Sequence, residues 1–441
     1  MKSYKPIYYV YLFVVLIFIT TTVFFIQQNE FNYNTSFKPP HIKPPWYSIA
    51  AVLKRTENCD KYFDTFPVLA LQFDFAEFEM QNILDPFSLA FSHLVHTDIA
   101  ILEVFLSVYF RPNNFHCIHV DTKASYRIKE AVSNLVECYS RKTQNGSIFI
   151  IPEHESIDVN WGANTILLAD IKCHKKLLEN SVNGNIPWRY SLSVAGSELP
   201  ILSYSRFHNK ISQNLGKGES SLESFPISNN NLQNRFSKQL SVDHNSTFDK
   251  ISPHIFQLPY NKTTNITLQV FKGSRNVILS AKDANFIMNH PVSRYLYYWF
   301  LQASNAEEHF YATMIRINVD PGTNMITQNT SGKVLRKNSA QITFTEGNTL
   351  HGLCPRYASW GCVGCHGQCY NAVCNFHRLD LDKIAKNSTD CLMANKFNLE
   401  VDPLAVTLHL LNLFEQTSID TQSWRNSDWS TYYSKITSIM L

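Results

Sequence analysis

The sequence is poor in charge and lacks the short motifs that mark common nucleotide-binding and hydrolytic enzymes. Charged residues make up 17% of the 441 residues, against roughly 25% in an average soluble domain. The 39 Lys+Arg and 36 Asp+Glu give a net charge of +3, which excludes a dedicated nucleic-acid-binding protein with its dense basic surface. No GxxxxGK[ST], GxGxxG, HExxH or GxSxG sequence is present, so P-loop, dinucleotide-fold, zinc-protease and serine-hydrolase chemistry lack support.

Internal repeats and a disorder-promoting composition are also missing. No segment recurs with a period of 20–50 residues and there is no heptad array, which excludes a solenoid and a coiled coil. The chain contains 30 Phe and 21 Tyr but only 14 Gly, and so many aromatic residues predict a folded core. About 400 residues remain beyond the N-terminal segment described next, enough for one large or two medium domains.

An apolar run near the N-terminus decides the predicted compartment. Ile7–Ile26 carries no charge, and a helix of about 20 residues spans the hydrocarbon core of a bilayer. Lys2 and Lys5 precede the run and the next charge is Glu30, so the positive-inside rule places the short tail in the cytosol and the rest in the lumen. The alternative is a cleaved signal peptide, but no small-x-small cleavage site follows the run. We therefore predict an uncleaved type II signal anchor.

This segment also sets the predicted domain boundaries. We predict a cytosolic tail over 1–6, a transmembrane anchor over 7–27, a stem over 28–58, whose prolines favour extended backbone, and a luminal domain over 59–441. A luminal location permits glycosylation of Asn-x-Ser/Thr sites. The candidates are Asn34, Asn145, Asn245, Asn261, Asn265, Asn329 and Asn387.

Ten cysteines agree with a luminal location, because disulfides persist in secretory compartments. An even count suggests a disulfide framework, although spacing alone does not define the pairs. The cluster Cys362, Cys365, Cys369 and Cys374 has a spacing that resembles a zinc site. We favour disulfides there, because zinc ligation needs free thiolates, and we predict no metal site.

From residue 88 onward, apolar runs alternate with helical patterns. We predict strands over Ser88–Val95, His116–Val120 and Tyr190–Ala195, and an amphipathic helix over Asp98–Phe110. This alternation predicts an α/β fold, with a mostly parallel sheet and helices on both faces. Such sheets bind ligands at the carboxyl ends of their strands, and Asp121 directly follows one of them.

The second half is less regular. Residues 216–267 are rich in Gly, Ser and Asn, which predicts a long loop region. Order returns where Ser280 can cap a helix over Ala281–Asn289. The triplet Asp380-Leu381-Asp382 could imitate the metal-binding D-x-D of nucleotide-sugar enzymes, but its amphipathic surroundings predict a helix start.

Eight short segments, taken in order, resemble one known family. That family is the core-2/I-branching β-1,6-N-acetylglucosaminyltransferases, which also contains peptide O-xylosyltransferases, and the resemblance covers about residues 85–410. The segments are Phe87–Val95; Phe115–Lys123 (FHCIHVDTK); Val159–Gly162 with Cys173; Trp188–Tyr190 with Ala195–Pro200; Phe271–Ser274 (FKGS); Glu307–Thr313 (EEHFYAT); Val373–Phe376 with Asp380-Leu381; and Met393–Phe397 (MANKF).

The resemblance implies a GT-A-like, Rossmann-like fold and an anchored enzyme of the Golgi membrane, single-pass type II. It implies inverting transfer from a UDP-sugar without metal or other cofactor, and we expect UDP-GlcNAc as donor and a glycan or glycoprotein as acceptor. Two alternatives remain: a UDP-xylose-dependent transferase, and an inactive Golgi member that binds glycans or nucleotide sugars.

Individual roles carry over only where positions match. Glu308 holds the position of the family's catalytic base, which deprotonates the attacking hydroxyl. Lys396 matches a cation that neutralises the diphosphate of the leaving group. The residues with implied ligand contacts are Asp121, Trp161 and Lys396 for the donor and Glu223 and Arg235 for the acceptor.

The resemblance also implies two disulfides. The family partner of Cys59 would lie near Leu408, which is not a cysteine, so Cys138 is a candidate partner by elimination only. The implied pairs are Cys117–Cys173 and Cys365–Cys374.

Several positions depart from the family pattern. A second diphosphate-binding arginine of the family is Asn371 here, and His377 and Arg378 are candidates to supply the missing charge. The family's Pro-Asp before the catalytic glutamate is Ala306-Glu307, and an aspartate of its G-x-D-x-P motif is Glu198. These changes motivate the inactive alternative.

Overall fold

The structure is a computed structural model, and the residues that it describes all belong to one unit, Lys43–Leu441. The predicted tail and anchor lie outside them, as do the sequons at Asn34, Asn145, Asn245, Asn261 and Asn329. Within the described ranges, no helix is long and apolar enough to cross a membrane. These ranges are 47–65, 83–142, 147–180, 185–215, 218–228, 231, 234–235, 255–257, 265–267, 270–319, 342–344, 353–387 and 390–421.

Strands and helices alternate through the first half of the described chain, as the apolar pattern predicts. In chain order the elements are α1 (Ile49–Thr56), α2 (Cys59–Thr65), β1 (Leu89–Val95), α3 (Ile99–Tyr109), β2 (Phe115–Val120), α4 (Tyr126–Ser140), β3 (Ile148–Ile150), α5 (Thr165–Glu179), β4 (Tyr190–Ala195), β5 (Glu198–Pro200), α6 (Tyr204–Asn214), β6 (Phe225–Pro226), β7 (Ile255–Gln257), β8 (Asn265–Thr267), β9 (Phe271–Lys272), β10 (Ile278–Ser280), α7 (Ala281–Asn289), α8 (Pro291–Phe300), α9 (Glu307–Met314), β11 (Ile317–Val319), β12 (Ile342–Phe344), β13 (Cys354–Ala358), β14 (Gln368–Tyr370), β15 (Val373–Asn375), α10 (Leu381–Asn387), β16 (Cys391–Asn395) and α11 (Pro403–Thr421).

The central sheet has the order β10-β4-β1-β2-β3 in the described part of the chain. Strands β4, β1, β2 and β3 are parallel, and β10 joins the edge antiparallel to β4. Val95 pairs with Val120 and Leu94 with Ala195, so the carboxyl ends of β1, β2 and β4 lie side by side. The predicted mixed α/β fold with a mostly parallel sheet is confirmed.

Helices cover both faces of this sheet. Neighbouring strand residues alternate between two cores: Phe91 and Ile118 pack in one, with α3 and α4, whereas Ala90 and Cys117 pack in the other, with α5, α7 and α9. Because the strands are buried on both sides, they form near-continuous apolar runs, as expected for a parallel sheet.

Helix α3 was predicted to be amphipathic, with one exposed face, but all of its residues are buried. The reason is that α1 and α2 cover its outer side. Glu103 on α3 accepts hydrogen bonds from Arg55 Nε on α1 and from the Tyr62 hydroxyl on α2, each at 3.1 Å. Residues 47–58, which the sequence led us to include in the stem, are therefore part of the folded unit.

A second region, rich in cysteine, follows the sheet. Strands β13, β16 and β5 form a small mixed sheet, and β14 and β15 form a hairpin. All ten cysteines are paired in disulfides, so the four cysteines of the cluster present no free thiolate to a metal. Both pairs that the resemblance implies are present, and the disulfides are Cys59–Cys138, Cys117–Cys173, Cys354–Cys391, Cys362–Cys369 and Cys365–Cys374.

Candidate active site

A cavity of about 360 Å³ opens at the carboxyl ends of the parallel strands. It lies where α/β sheets generally bind their ligands. Asp121, Trp161 and Lys396 all line it, although they come from three distant parts of the chain. The tertiary structure thus brings together the three residues expected to contact the donor. Further lining residues are His96, His119, Gly196, Ser197, Arg275 and Asn375.

Asp121 follows β2 directly and is almost fully buried. Its Oδ1 accepts a hydrogen bond from the Lys123 backbone N–H at 2.8 Å, and its Oδ2 accepts one from the Val159 N–H at 3.2 Å. Both carboxylate oxygens are therefore engaged by backbone amides. Asp121 holds the loop that carries Trp161 against the end of the sheet.

Trp161 is largely exposed, at 74% of its surface, and forms one wall of the cavity. The next residue, Gly162, has a φ of +79°, a conformation that favours glycine. The Gly162 carbonyl accepts a hydrogen bond from the Asn305 backbone N–H at 2.9 Å. This bond joins the Trp161–Gly162 segment at the wall of the cavity to the turn before helix α9, which carries Glu308.

Lys396 follows β16 and is half-buried. Its neighbours are anchored to the turn before β5, because Asn395 Oδ1 accepts a hydrogen bond from Ser197 Oγ at 2.8 Å and the Phe397 N–H donates to the Ser197 carbonyl at 2.9 Å. Burial, together with the nearby charge of Arg356, lowers the pKa of the Lys396 ammonium. A cation held in this way gains from an anionic ligand, which would offset its desolvation.

Glu308, the predicted base, lies in the first turn of α9 with two cations beside it. Its Oε2 is 3.0 Å from Arg235 Nη2 and 3.7 Å from Lys272 Nζ. The Asn305 side chain supports Arg235, since its amide oxygen accepts from Arg235 Nη1 at 2.8 Å while its nitrogen donates to the Gly162 carbonyl at 3.1 Å. Arg235, predicted to contact the acceptor, thus lies against the predicted base itself.

Gly273 lets the segment that carries Glu223 approach helix α9, which carries Glu308. A Cβ at this position would lie 2.0 Å from the Glu223 carbonyl oxygen, so no other residue fits without a backbone shift. The Gly273 N–H donates to the Glu308 carbonyl at 2.7 Å. The backbones of Glu223 and Glu308 therefore contact the same residue, and the exposed Glu223 side chain lies beside the catalytic segment.

A buried hydrogen-bond network behind the site anchors helix α9. Asp170 on α5 accepts hydroxyl hydrogen bonds from Ser92 on β1 at 2.7 Å, and from Ser193 on β4 and Tyr311 on α9 at 2.8 Å each. His174 and Arg275 are among the groups that hold the pKa of Asp170 low against its burial. Because Tyr311 lies one turn after Glu308, this network fixes the orientation of the helix that carries the base.

Glu307, next to the base, is in a different environment. It is buried, and its Oε2 has no hydrogen-bond partner among the described residues. Desolvation raises the pKa of Glu307 to about 7. Glu308 lies beside two cations, whereas the adjacent Glu307 carboxyl faces the protein interior.

Asn371, His377 and Arg378 do not place a cation in the cavity, where the family pattern has a second diphosphate-binding arginine. Asn371 and Ala372 form the tip of the β14–β15 hairpin with φ values of +49° and +61°, the conformation of a tight hairpin turn that Asn tolerates well. Arg378 donates to both carboxylate oxygens of Asp402 at 2.9 Å, and His377 lies 3.3 Å from the same group. Neither candidate lines the cavity.

The triplet at 380–382 has a structural role, as predicted. Asp380 is buried, accepts from the His377 backbone N–H at 3.0 Å and lies 2.9 Å from His366 Nδ1. Together with the His377 side chain it forms a capping box before α10. Asp380 also lies near the sulfurs of Cys365 and Cys374, but these are bonded to each other and offer no thiolate to a metal.

Three cations of this site were missed from sequence: Lys272, Arg275 and Arg356. Lys272 lies beside Glu308, and Arg275 lines the cavity. Arg356 Nη1 lies 3.2 Å from the buried Glu198. Lys272 and Arg275 flank Gly273-Ser274 in one of the segments that carry the family resemblance, which was a usable signal, but Arg356 carries no local signal because its partner is 158 residues away.

The arrangement of a cavity with basic residues beside a carboxylate agrees with the similarity of this chain to one family model and to three known proteins. The family model described as Core-2/I-Branching enzyme matches residues 89–385. A mouse N-acetyllactosaminide beta-1,6-N-acetylglucosaminyl-transferase is 28% identical over 336 residues, covering 75% of this chain and 74% of the relative. Human beta-1,3-galactosyl-O-glycosyl-glycoprotein beta-1,6-N-acetylglucosaminyltransferase 3 is 26% identical, with coverages of 75% and 69%. A bovine herpesvirus 4 enzyme with the same name, but without the final number, is also 26% identical, with coverages of 79% and 71%.

The protein is therefore a glycosyltransferase. More narrowly, the chain belongs to the Core-2/I-branching enzyme family, since the model matches well over half of it. The residue roles within the site remain predictions, which the geometry described above makes testable.

Proposed function

We propose that this protein transfers N-acetylglucosamine from UDP-GlcNAc, in β-1,6 linkage and with inversion, onto a galactoside or N-acetylgalactosaminide of a glycan, within a GT-A-like fold. The names of its relatives support the sugar and the linkage. The observation that carries the proposal is Glu308, which lies beside Arg235 and Lys272 and is tied through Asn305 and Gly162 to the wall of the donor cavity.

Inverting transfer is a single in-line displacement. The acceptor hydroxyl attacks the anomeric carbon, its proton passes to a Glu308 oxygen, and the bond between that carbon and the diphosphate oxygen breaks to release UDP. Arg235 and Lys272 contact only Oε2 of Glu308. Their role is to hold the carboxylate at the edge of the cleft, where it can reach the acceptor hydroxyl.

The donor would occupy the cavity lined by Asp121, Trp161 and Lys396. Trp161 offers an exposed aromatic surface, and Lys396 offers a half-buried ammonium to the diphosphate. Metal-independent chemistry is supported by the state of two candidate acids: Asp121 already accepts two backbone hydrogen bonds, and Asp380 belongs to a capping box.

We also propose a Golgi membrane location, single-pass type II. The apolar run Ile7–Ile26 with Lys2 and Lys5 before it supports an anchor whose bulk lies in the lumen. Five disulfides among the ten cysteines support an oxidising compartment. Fluorescence microscopy with a Golgi marker, together with protease protection of the chain in sealed vesicles, tests both statements.

The activity is tested with the full chain in detergent, by measuring UDP release from UDP-GlcNAc and from UDP-xylose in EDTA. The acceptors are a panel of galactosides and N-acetylgalactosaminides. We expect turnover with UDP-GlcNAc that Glu308→Gln abolishes, whereas Glu130→Gln, on the exposed side of α4, leaves it unchanged. Turnover only with UDP-xylose would show that the donor is UDP-xylose and not UDP-GlcNAc. UDP binding without any turnover would favour an inactive binding protein.

A further inference from the structure

The donor cavity needs more positive charge than Lys396 provides, if the proposed function is correct. Departure of UDP develops charge on a diphosphate, which an enzyme without a metal stabilises with basic side chains. Asn371 is neutral and lies at an exposed hairpin tip, while His377 and Arg378 are engaged by Asp402. A second cation must therefore come from another part of the chain.

Arg275 lines the same cavity as Asp121 and Lys396. Its Nε and Nη2 are buried, and neither has a hydrogen-bond partner among the described residues. Within the same ranges, no carboxylate lies within ion-pair distance of its guanidinium. A buried charged donor without a partner is costly, and an anion that accepts from it would remove that cost.

The backbone around Arg275 is rigidly held. Asn276 Nδ2 donates to Glu198 Oε1 at 2.7 Å, and Arg356 Nη1 donates to the same oxygen at 3.2 Å. The Asn276 backbone N–H donates to Ser274 Oγ at 3.2 Å. Both neighbours of Arg275 are thus fixed by side chains, and the guanidinium is presented to the cavity on a supported turn.

A structural role for Arg275 would be to balance two buried carboxyl groups, since its charge lowers the pKa of Asp170 and opposes the rise in the pKa of Glu307. However, Asp170 already accepts three hydroxyl hydrogen bonds, and among the described residues no hydrogen bond or ion pair joins Arg275 to either carboxyl group. An anion in the cavity that Arg275 lines would therefore have no existing bond of the guanidinium to displace.

We propose that Arg275 binds the diphosphate of the nucleotide sugar together with Lys396, and that it supplies the charge that Asn371 lacks. Arg275 lies three residues after Lys272, which contacts Glu308. One short segment, 271–276, therefore connects the base to the leaving group. This inference rests on the proposed function and concerns the phosphates alone, so Arg275 contributes nothing to binding of the nucleoside.

The test compares UDP with uridine, which lacks phosphates, by isothermal titration of the full chain in detergent and EDTA. We expect Arg275→Gln to weaken UDP binding by roughly 10- to 100-fold, the effect of losing a charged hydrogen bond, and to leave uridine binding unchanged. Arg275→Lys keeps the charge and should lose less. The matched control is Arg294→Gln, because Arg294 lines a different cavity beside Tyr298.

The outcomes are distinct. Unchanged UDP affinity in Arg275→Gln would overturn the inference and leave the proposed function standing. An equal loss of UDP and uridine binding, with a lowered melting temperature, would assign Arg275 a structural role through Asp170 and also overturn it. Failure of the wild-type chain to bind UDP would refute the proposed function together with this inference.

Discussion

The charged residues on the two sides of the active-site cleft differ in whether they form ion pairs. On the acceptor side, Glu308 is already paired with Arg235 and Lys272 at 3.0 and 3.7 Å. On the donor side, Lys396 and Arg275 line the cavity without an ion pair to any carboxylate in the described part of the chain. Glu308 therefore has two cations within 4 Å, whereas Lys396 and Arg275 share their cavity with Asp98 and Asp121 but form no ion pair with either.

This difference separates the tasks of positioning and binding. A paired carboxylate is held in one geometry, which suits a base that must meet an acceptor hydroxyl at a defined point. Cations without an ion pair in a partly buried cavity attract an incoming anion, because no direct partner has to be displaced. Changes on the acceptor side should therefore affect turnover, and changes on the donor side should affect nucleotide affinity.

The sharpest test of the comparison is Glu308→Gln. The amide cannot accept the proton, so we expect kcat to fall by about 10²- to 10⁴-fold, the usual contribution of a general base. UDP affinity should stay within twofold of the wild-type value, because the base lies outside the donor cavity. Steady-state kinetics and calorimetry on the same preparation measure both quantities. A large loss of UDP affinity would contradict the division of tasks.

The second test concerns Glu307, whose buried carboxyl has a pKa raised from 4.5 to about 7. The folded pKa exceeds the unfolded one, so the folded state loses stability as pH rises from about 4.5 to 7, by about 3 kcal/mol in total. Glu307→Gln removes this dependence, and its stability advantage over wild type should grow from pH 5 to pH 8. Chemical denaturation at both pH values measures it, with Glu130→Gln as control. A difference independent of pH would show that Glu307 is not desolvated.

On the donor side, Lys396→Met should weaken UDP binding by roughly 10- to 100-fold, because it removes a charged donor from a half-buried site. Uridine binding should not change. Methionine preserves the length and the apolar contacts of the side chain, so folding is maintained. Equal weakening of UDP and uridine in calorimetry would place Lys396 away from the phosphates.

The smallest expected effects are those of Arg235→Gln and Lys272→Gln. The ion pair with Glu308 is about one quarter exposed on each side, and pairs of this kind contribute about 1 kcal/mol or less. For Arg235→Gln we expect kcat/KM to fall by about fivefold or less with UDP affinity unchanged. Lys272→Gln should have a smaller effect, since Lys272 lies farther from Glu308. A loss as large as that of Glu308→Gln would give Arg235 a direct role in the reaction.

Local patterns predicted the regular elements well. Ser280 caps α7, which spans Ala281–Asn289 as expected, because a serine hydroxyl satisfies a free N–H of the first turn within a few residues. The strands β1 and β4 follow equally directly from continuous apolar runs. The amphipathic prediction for α3 was wrong, because the helices that bury its polar side come from a segment 50 residues earlier.

The residues of the candidate site also divide into those that the sequence identified and those that it did not. Glu308, Asp121, Lys396 and Trp161 could be selected because each lies in a short, recognisable segment. Arg356 could not, since its partner Glu198 is 158 residues away, and Arg275 had only the signal of its place directly after the Phe271–Ser274 segment. Charge compensation is a property of distances in space, and a guanidinium that fills a site left by Asn371 can come from any element that reaches the cavity.

The sequence by itself determined the class of fold, the family and the residue expected to act as the base, because apolar periodicity, capping residues and ordered motifs are all local along the chain. The tertiary structure alone decided how Cys354, Cys362, Cys369 and Cys391 pair, which cations remain unpaired and where the folded unit begins. Many of the deciding contacts join residues 48 to 198 positions apart, and only the packed chain brings such residues within a few ångströms of one another.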